Sequence, residues 1–363
     1  MQDIIYNKIV FVQLKRERKD ANLMKKIAVV GLGLIGGSLA MALKEKGYTV
    51  LGVENNAEAL SYAYENGIID EKAEISGLLG CDMIFVCVPL GLIDEVYKQV
   101  YSVVGDSAII TDVASVKGIL NGLPGRIVGG HPMAGTENSG ITAAKAHLFE
   151  NAYYAIVPYE NSSEADVEAV TNIVKEIKAN PIIMSAKEHD EKVSKISHLP
   201  HAVAYALVSS ALGDDGFVGT GFMDTTRIAS SDAKFWTKTA LLNRENLLKD
   251  IDDFTSEMSL IRSAIEDKDD ERLESLFKKA QLKRKKLSLK RVYLSEYTFE
   301  VDIRDEIGSI HKISKLLLDN GINMSGLQII NSREGVGGAL RISVVAEKDY
   351  EKALKLFGLK DER

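Results

Sequence analysis

The segment Gly31-Leu32-Gly33-Leu34-Ile35-Gly36 constrains this chain more than any other. It follows residues 26–30, an apolar run without alternation, and precedes residues 38–46, which read as a helix closed by Gly47. A short unalternating run fits a strand buried on both faces. Glycines at this spacing between strand and helix fit a dinucleotide-binding turn. Gly31 permits the tight turn, Gly33 lets the backbone approach a pyrophosphate, and Gly36 allows helix to pack closely on strand. Leu34 and Ile35 fall at the helix start, where free amides and the helix dipole suit phosphate. Glu54 ends the next strand about twenty positions on. Its carboxylate would accept hydrogen bonds from ribose hydroxyls and repel a 2′-phosphate, which favours NAD over NADP. Val88 and Pro89 close a third buried strand at the carboxyl edge, where ligands bind in such sheets.

Strands and helices alternate from residue 26 to about 185, the pattern of an α/β doubly wound (Rossmann) domain. Its strands are expected at 26–30, 48–54, 83–88, 108–113, 126–130, 153–157 and 181–184. Residues 24–185 are therefore expected to form the dinucleotide-binding domain. From 186 to 290 apolar residues recur at three- and four-residue spacing, which predicts an all-helical second domain. Residues 297–363 return to a βαββα pattern, a small α+β third domain. Residues 1–23 read as an extension ahead of a chain start at Met24, with no function assigned.

The net charge of -7 argues against nucleic acid as a partner. The basic run Lys283-Arg284-Lys285-Lys286 complements the C-terminal end of a helix dipole. Two cysteines, Cys81 and Cys87, both in or beside apolar runs, fit reduced thiols and a cytoplasmic protein. No apolar stretch approaches the roughly 20 residues that span a bilayer.

Polar clusters mark the chemistry. Residues 111–117 (TDVASVK) leave one strand and residues 129–137 (GGHPMAGTE) leave the next. His131, one of six histidines, sits between glycines and a proline that are expected to fix a loop. As a neutral imidazole it would accept a hydroxyl proton while hydride leaves the substrate. Ser115 would hold the imidazole's tautomer or touch the nicotinamide. His198 and His201, three apart, are expected near one another on a helix. No third ligand with zinc-like spacing accompanies them, so no metal is expected. Arg227, in Asp224-Thr225-Thr226-Arg227, suits bidentate carboxylate recognition, or an ion pair with Asp224 or Glu137.

The segments GLGLIGGSLA, TDVASVKG, GGHPMAGTENSG, SHLPHAVAYAL and GFMDTTRIASSD together resemble prephenate dehydrogenase, the TyrA family of tyrosine biosynthesis, over about residues 24–290. The stretch EVDIRDEIGSIHKISKLLLDNGINMSGLQI resembles an ACT domain, a module that commonly binds amino acids. The resemblance implies NAD-dependent oxidative decarboxylation of prephenate to 4-hydroxyphenylpyruvate, with arogenate as the rival substrate. It further implies that His131 is the base and that Ser115 assists it. Arg227 would bind carboxylate, Thr136 and Glu137 would line the pocket, and His201 would lie near the side-chain keto acid. Trp236 would reach a neighbouring subunit of a homodimer built on the helical domain, and tyrosine is the effector that pathway logic suggests. Two departures stand out. Met223 occupies a position that is often basic in the family, which leaves more of the carboxylate binding to Arg227. The ACT-like segment also lacks its final strand. Another β-hydroxyacid-type dehydrogenase would share the glycine turn but would use a lysine and lack the GGHPMAG loop.

Overall fold

The computed structural model describes residues 26–135, 138–211, 218–291, 297–333 and 337–359. The chain divides into two compact units, Met1–Thr255 and Ser256–Arg363. The first is organised on eight strands: β1 (Lys26–Val30), β2 (Thr49–Val53), β3 (Glu71–Lys72), β4 (Met83–Val86), β5 (Ile109–Asp112), β6 (Ile127–Pro132), β7 (Tyr153–Pro158) and β8 (Asn180–Ile183). They form one sheet in the order β3-β2-β1-β4-β5-β6-β7-β8. The connections run outward in one direction from β1 to β3 and in the other from β4 onward. The β1/β4 boundary is therefore the switch point at which such sheets bind ligands.

The strands are buried from both sides, which is why β1 shows no alternation. Ile27 and Val29 pack with Leu39 and Leu43 of helix α1 (Leu34–Glu45). Ala28 and Val30 face the other way, onto a layer that includes Ile93, Tyr97 and Val100 of α3 (Ile93–Val104). Between them in sequence, α2 (Ala57–Glu65) starts at Asn56, whose side chain accepts the Glu58 and Ala59 amides. Helix α4 (Glu164–Glu176) starts in a capping box of Ser163 and Asp166. Caps of this kind are worth about 1 kcal/mol each.

Among the described residues, helices alone follow the sheet in this unit: α5 (Ala186–Val193), a π-helical turn over Ser194–His198, α6 (Leu199–Ser210) and α7 (Thr220–Thr226). A 3-10 turn over Arg227–Ser230 leads into α8 (Ala233–Leu242) and α9 (Arg244–Glu266), whose residues from Ser256 on belong to the second unit. The second unit contains α10 (Asp270–Arg291), β9 (Tyr297–Ile303), α11 (Ser309–Asp319), β10 (Met324–Arg333), β11 (Gly337–Val344) and α12 (Glu347–Phe357). Its three strands pair antiparallel in the order β10-β11-β9. Phe299, Leu340, Ile342 and Val344 pack there with Leu317 of α11 and with Tyr350, Ala353 and Leu354 of α12. Among the described residues no helix is long and apolar enough to cross a membrane.

Three local features differ from the sequence expectations. β3 is only two residues long and leaves no periodic trace. β7 runs antiparallel to β6, a reversal inside an otherwise parallel sheet. His131 is not in a loop: it is the penultimate residue of β6, opposite Ala155 of β7. The glycines before it serve close packing rather than a turn. A Cβ on Gly129 would lie 2.9 Å from the Tyr159 hydroxyl, and one on Gly130 would lie 2.5 Å from the Asp112 carbonyl oxygen.

Candidate active site

The glycine turn sits at the switch point, against the end of β4. Gly31 has φ +94°, and a Cβ there would approach the Cys87 carbonyl oxygen to 2.6 Å. A Cβ on Gly36 would fall 1.9 Å from the Gly31 carbonyl oxygen, so helix α1 and the turn touch at that point. Gly33 is different: a Cβ on it would meet nothing within 4 Å. Gly33 is also the N-cap of α1 and provides no side-chain cap, which leaves the first amides of the helix free of any side-chain cap. Two glycines are thus required by crowding and one faces open space, the arrangement a pyrophosphate needs. Leu34 and Ile35 form the first helical residues, and Val88 and Pro89 follow β4 across the crevice.

Glu54 closes this site from the β2 side. One carboxylate oxygen accepts the Leu32 amide at 2.8 Å and the other the Asn56 amide at 2.9 Å. The carboxylate is thereby fixed beside the turn, with lone pairs remaining for hydroxyl donors.

At the carboxyl ends of β5 and β6 lies a second, buried polar centre. Lys117 has no exposed surface and Asp112 is 1% exposed. The Lys117 ammonium donates to Asp112 and to the Gly130 carbonyl oxygen. Asp112 also accepts the Gly130 amide at 3.1 Å and the Ala114 amide at 2.8 Å. Burial pulls the Lys117 ammonium below the ordinary lysine range, and Asp112 beside it opposes that pull. The residue immediately before His131 is therefore held at both its N–H and its C=O.

The His131 ring is held as well. Its Nδ1 lies 2.8 Å from Nε2 of His189, and the rings meet edge to face at 5.0 Å between centroids. Nδ1 of His189 lies 2.8 Å from Oδ1 of Asp190, the next residue of α5. Burial, then the neighbouring His189, then Lys117 and His198 hold His131 well below the usual histidine range. Each of these effects favours the neutral imidazole. The ring nitrogen Nδ1 of His131 thus meets His189 and not Ser115. The Ser115 hydroxyl oxygen is buried with no hydrogen-bond partner among the described residues.

His198 and His201 lie on two sides of Trp236. His201 stacks on the indole at 3.3 Å between centroids and 20° between planes, and His198 meets it edge-on at 6.0 Å. The π-helical turn ends at His198, and such turns are frequent at functional sites. Burial pushes His198 down to about 4 and also lowers His201, an effect to which Arg227 adds. Arg227 is exposed on the 3-10 turn. Among the described residues it takes no ion pair, Asp224 included. Thr136 and Glu137 lie outside the described residues. No group of three His, Cys, Asp or Glu side chains among the described residues is placed to hold a metal ion.

Comparison with known proteins decides the family. Residues 39–183 match the family model for the nucleotide-binding domain of prephenate dehydrogenase, and residues 185–279 match that for its dimerization domain. A prephenate dehydrogenase of Bacillus subtilis is 36% identical over 348 residues, covering 90% of this chain and 94% of that protein. The chain belongs to the prephenate dehydrogenase family. Among solved structures, a prephenate dehydrogenase from A. aeolicus, in complex with hydroxyphenyl propionate and NAD+, is 30% identical with a TM-score of 0.68. That match covers 73% of this chain and 99% of the other. A Synechocystis arogenate dehydrogenase is 32% identical with a TM-score of 0.66, covering 72% of this chain and 99% of the other.

Within this family member, the residues that sequence reasoning overlooked are His189, Asp190 and the paired side chains of Asp112 and Lys117. The last two stood inside the quoted TDVASVK segment without a role. His189 lies 58 positions from His131, and its one local signal is the carboxylate that follows it.

Proposed function

We propose that this chain catalyses the NAD-dependent oxidative decarboxylation of prephenate to 4-hydroxyphenylpyruvate. The observation that carries the reading is the half-buried, neutral His131 at the carboxyl edge of the sheet whose switch point bears the glycine turn. Gly31, Gly33, Leu34, Ile35 and Gly36 would present the pyrophosphate site, Glu54 the ribose site, and Val88 and Pro89 the wall across the crevice. When bound, NAD takes up hydride from the substrate carbon that bears the hydroxyl.

His131 accepts the proton of that hydroxyl, and Ser115, whose buried oxygen lacks a partner among the described residues, donates or accepts beside it. Aromatisation makes the combined step strongly downhill, so the chain mainly needs to orient the substrate and supply one base. Arg227 binds a substrate carboxylate, with the His201–Trp236 stack, Thr136 and Glu137 lining the remainder. With Met223 at a position that is often basic in the family, Arg227 is the principal cation of the pocket. NADH formation from prephenate tests the reading, with arogenate as the competing substrate in the same assay.

The helical segment forms a homodimer in this reading. Helix α6 has the sequence LPHAVAYALVSS, yet Ala204 is its one buried residue. Leu241 and Leu248 on α8 and α9 are 63% and 51% exposed. A second copy would cover these apolar faces. The C-terminal module is read as an ACT-like regulatory domain that binds an amino acid, tyrosine in the pathway logic. Its βαββα order supports that reading. So does a cavity of about 210 Å³ at the β9–α11 junction, lined by Arg304, Ser309, His311 and Ile329 among others. The protein is read as cytoplasmic.

A further inference from the structure

Two groups stand behind His131, and what they do follows from the far end of their hydrogen-bond chain. The Lys117 and Gly118 amides, each at 2.8 Å, donate to the two carboxylate oxygens of Asp190. Backbone N–H groups only donate, so this carboxylate is an acceptor on both sides. His189 Nδ1, 2.8 Å from the same carboxylate, must then carry a proton. Read as a neutral imidazole, His189 carries that one proton only, so its Nε2 is a lone pair. It therefore accepts the hydrogen bond from Nδ1–H of His131, and the one lone pair left on His131 is at Nε2. His189 is 1% exposed and Asp190 6%, so these bonds compete with little water. Asn243 fixes the backbone of the chain by donating to the Asp190 carbonyl oxygen at 2.8 Å.

The geometry points to His189 and Asp190 as positioning residues that hold His131 in the one tautomer whose Nε2 can take the substrate proton, and that carry the charge His131 then gains. This rests on the reading of His131 as the base. The substrate O–H bond breaks and its proton goes to Nε2. The electron pair that held it becomes the second bond of a C=O group as hydride departs from the same carbon to NAD. The pair of the ring–carboxylate bond moves into the ring as carbon dioxide leaves, and the phenolate so formed takes the proton back. His131 is thus cationic only in the interval. During it the Asp190 charge, relayed through His189, stabilises the imidazolium, the logic by which a buried aspartate supports a catalytic histidine elsewhere.

The experiment combines ¹⁵N NMR of histidine-labelled full-length protein with kinetics of two variants. In the wild type without substrate, His131 (assigned by its absence in His131→Asn) is expected protonated at Nδ1 and bare at Nε2 at neutral pH. His189→Leu should show both tautomers and lose on the order of 10²-fold in kcat, with the dissociation constant for NAD unchanged. His189→Gln can accept from His131 through its oxygen and donate to Asp190 through its nitrogen, and should recover at least about tenfold of that loss. A wild-type His131 protonated at Nε2, or a His189→Leu enzyme within about threefold of wild type in kcat, overturns the proposal. If His189→Leu does not fold, the wild-type tautomer and a His189→Gln enzyme as slow as His131→Asn remain decisive against it. Because the NMR arm needs no substrate, failure of the wild type to turn over prephenate would sink the functional reading separately.

Discussion

Glu54 reaches into the glycine turn and accepts the Leu32 amide at 2.8 Å. The acidic residue at the end of β2 is therefore part of the turn's own scaffold as well as a candidate ribose ligand. Replacing Glu54 by Ala should remove the preference for NAD over NADP and also destabilise the fold. The lost hydrogen bonds to a charged group are worth about 1.5–3 kcal/mol when buried, and less here because the site is partly open. Fluorescence titration with both nucleotides, together with a melting curve, checks both halves. An unchanged affinity ratio would remove the electrostatic argument.

The buried Lys117–Asp112 pair predicts a large, asymmetric effect. Lys117→Met should cost about 3–5 kcal/mol, because it leaves the Asp112 charge buried without its cation. The double variant Lys117→Met/Asp112→Asn should recover part of that loss, since replacing both partners removes the uncompensated charge. Urea unfolding of the three proteins measures it. Equal stability of the single variant and the wild type would show that the pair does not hold the end of β6.

A pH dependence of stability follows from His131 and His198. Both are held below the ordinary histidine value of 6.5, His198 at about 4. As pH falls below 6.5 the unfolded chain takes up protons that the folded chain refuses, so stability is lost on the acid side. Between pH 6.5 and about 4 His198 should contribute a slope of up to about 1.4 kcal/mol per pH unit, and His131 adds to it below pH 6.5. His131→Asn should flatten that slope by about one proton. Denaturant unfolding at stepped pH reads it, and a stability curve with the same slope in both proteins would contradict the burial argument.

Much of the nucleotide site was legible because its chemistry is local. The unalternating run before Gly31, the three glycines and Glu54 all lie within one strand–helix–strand unit, and each leaves its mark within a few residues. The polar centre behind His131 was not, because its partners meet only through the fold. His189 comes from a helix after the last strand of the sheet, and adjacency to Asp190 does not say which ring it will face. The glycines before His131 were legible as glycines but misread as a loop. A glycine required by a neighbouring tyrosine or carbonyl looks the same in sequence as one required by a turn. The reversal at β7 left no signal either, since a strand buried on both sides has the same composition in either direction.

For the C-terminal module, tyrosine should raise the melting temperature of the full chain. At 100 times its dissociation constant the stabilisation would be about 2.7 kcal/mol. Gly308 lines the proposed cavity with φ +87°. Gly308→Val should abolish the shift while leaving the rate without tyrosine unchanged. An identical shift in both proteins would place any effector site elsewhere.

The central claim is that His131 is the base of an NAD-dependent prephenate oxidation. Its most direct test is NADH formation by the full chain with prephenate or arogenate, each with NAD or NADP, in parallel with His131→Asn. The expected result is fastest turnover with prephenate and NAD, and a loss on the order of 10²–10⁴-fold in His131→Asn with NAD binding retained. Wild-type turnover by His131→Asn, or no reduced nucleotide from either acid, would contradict it.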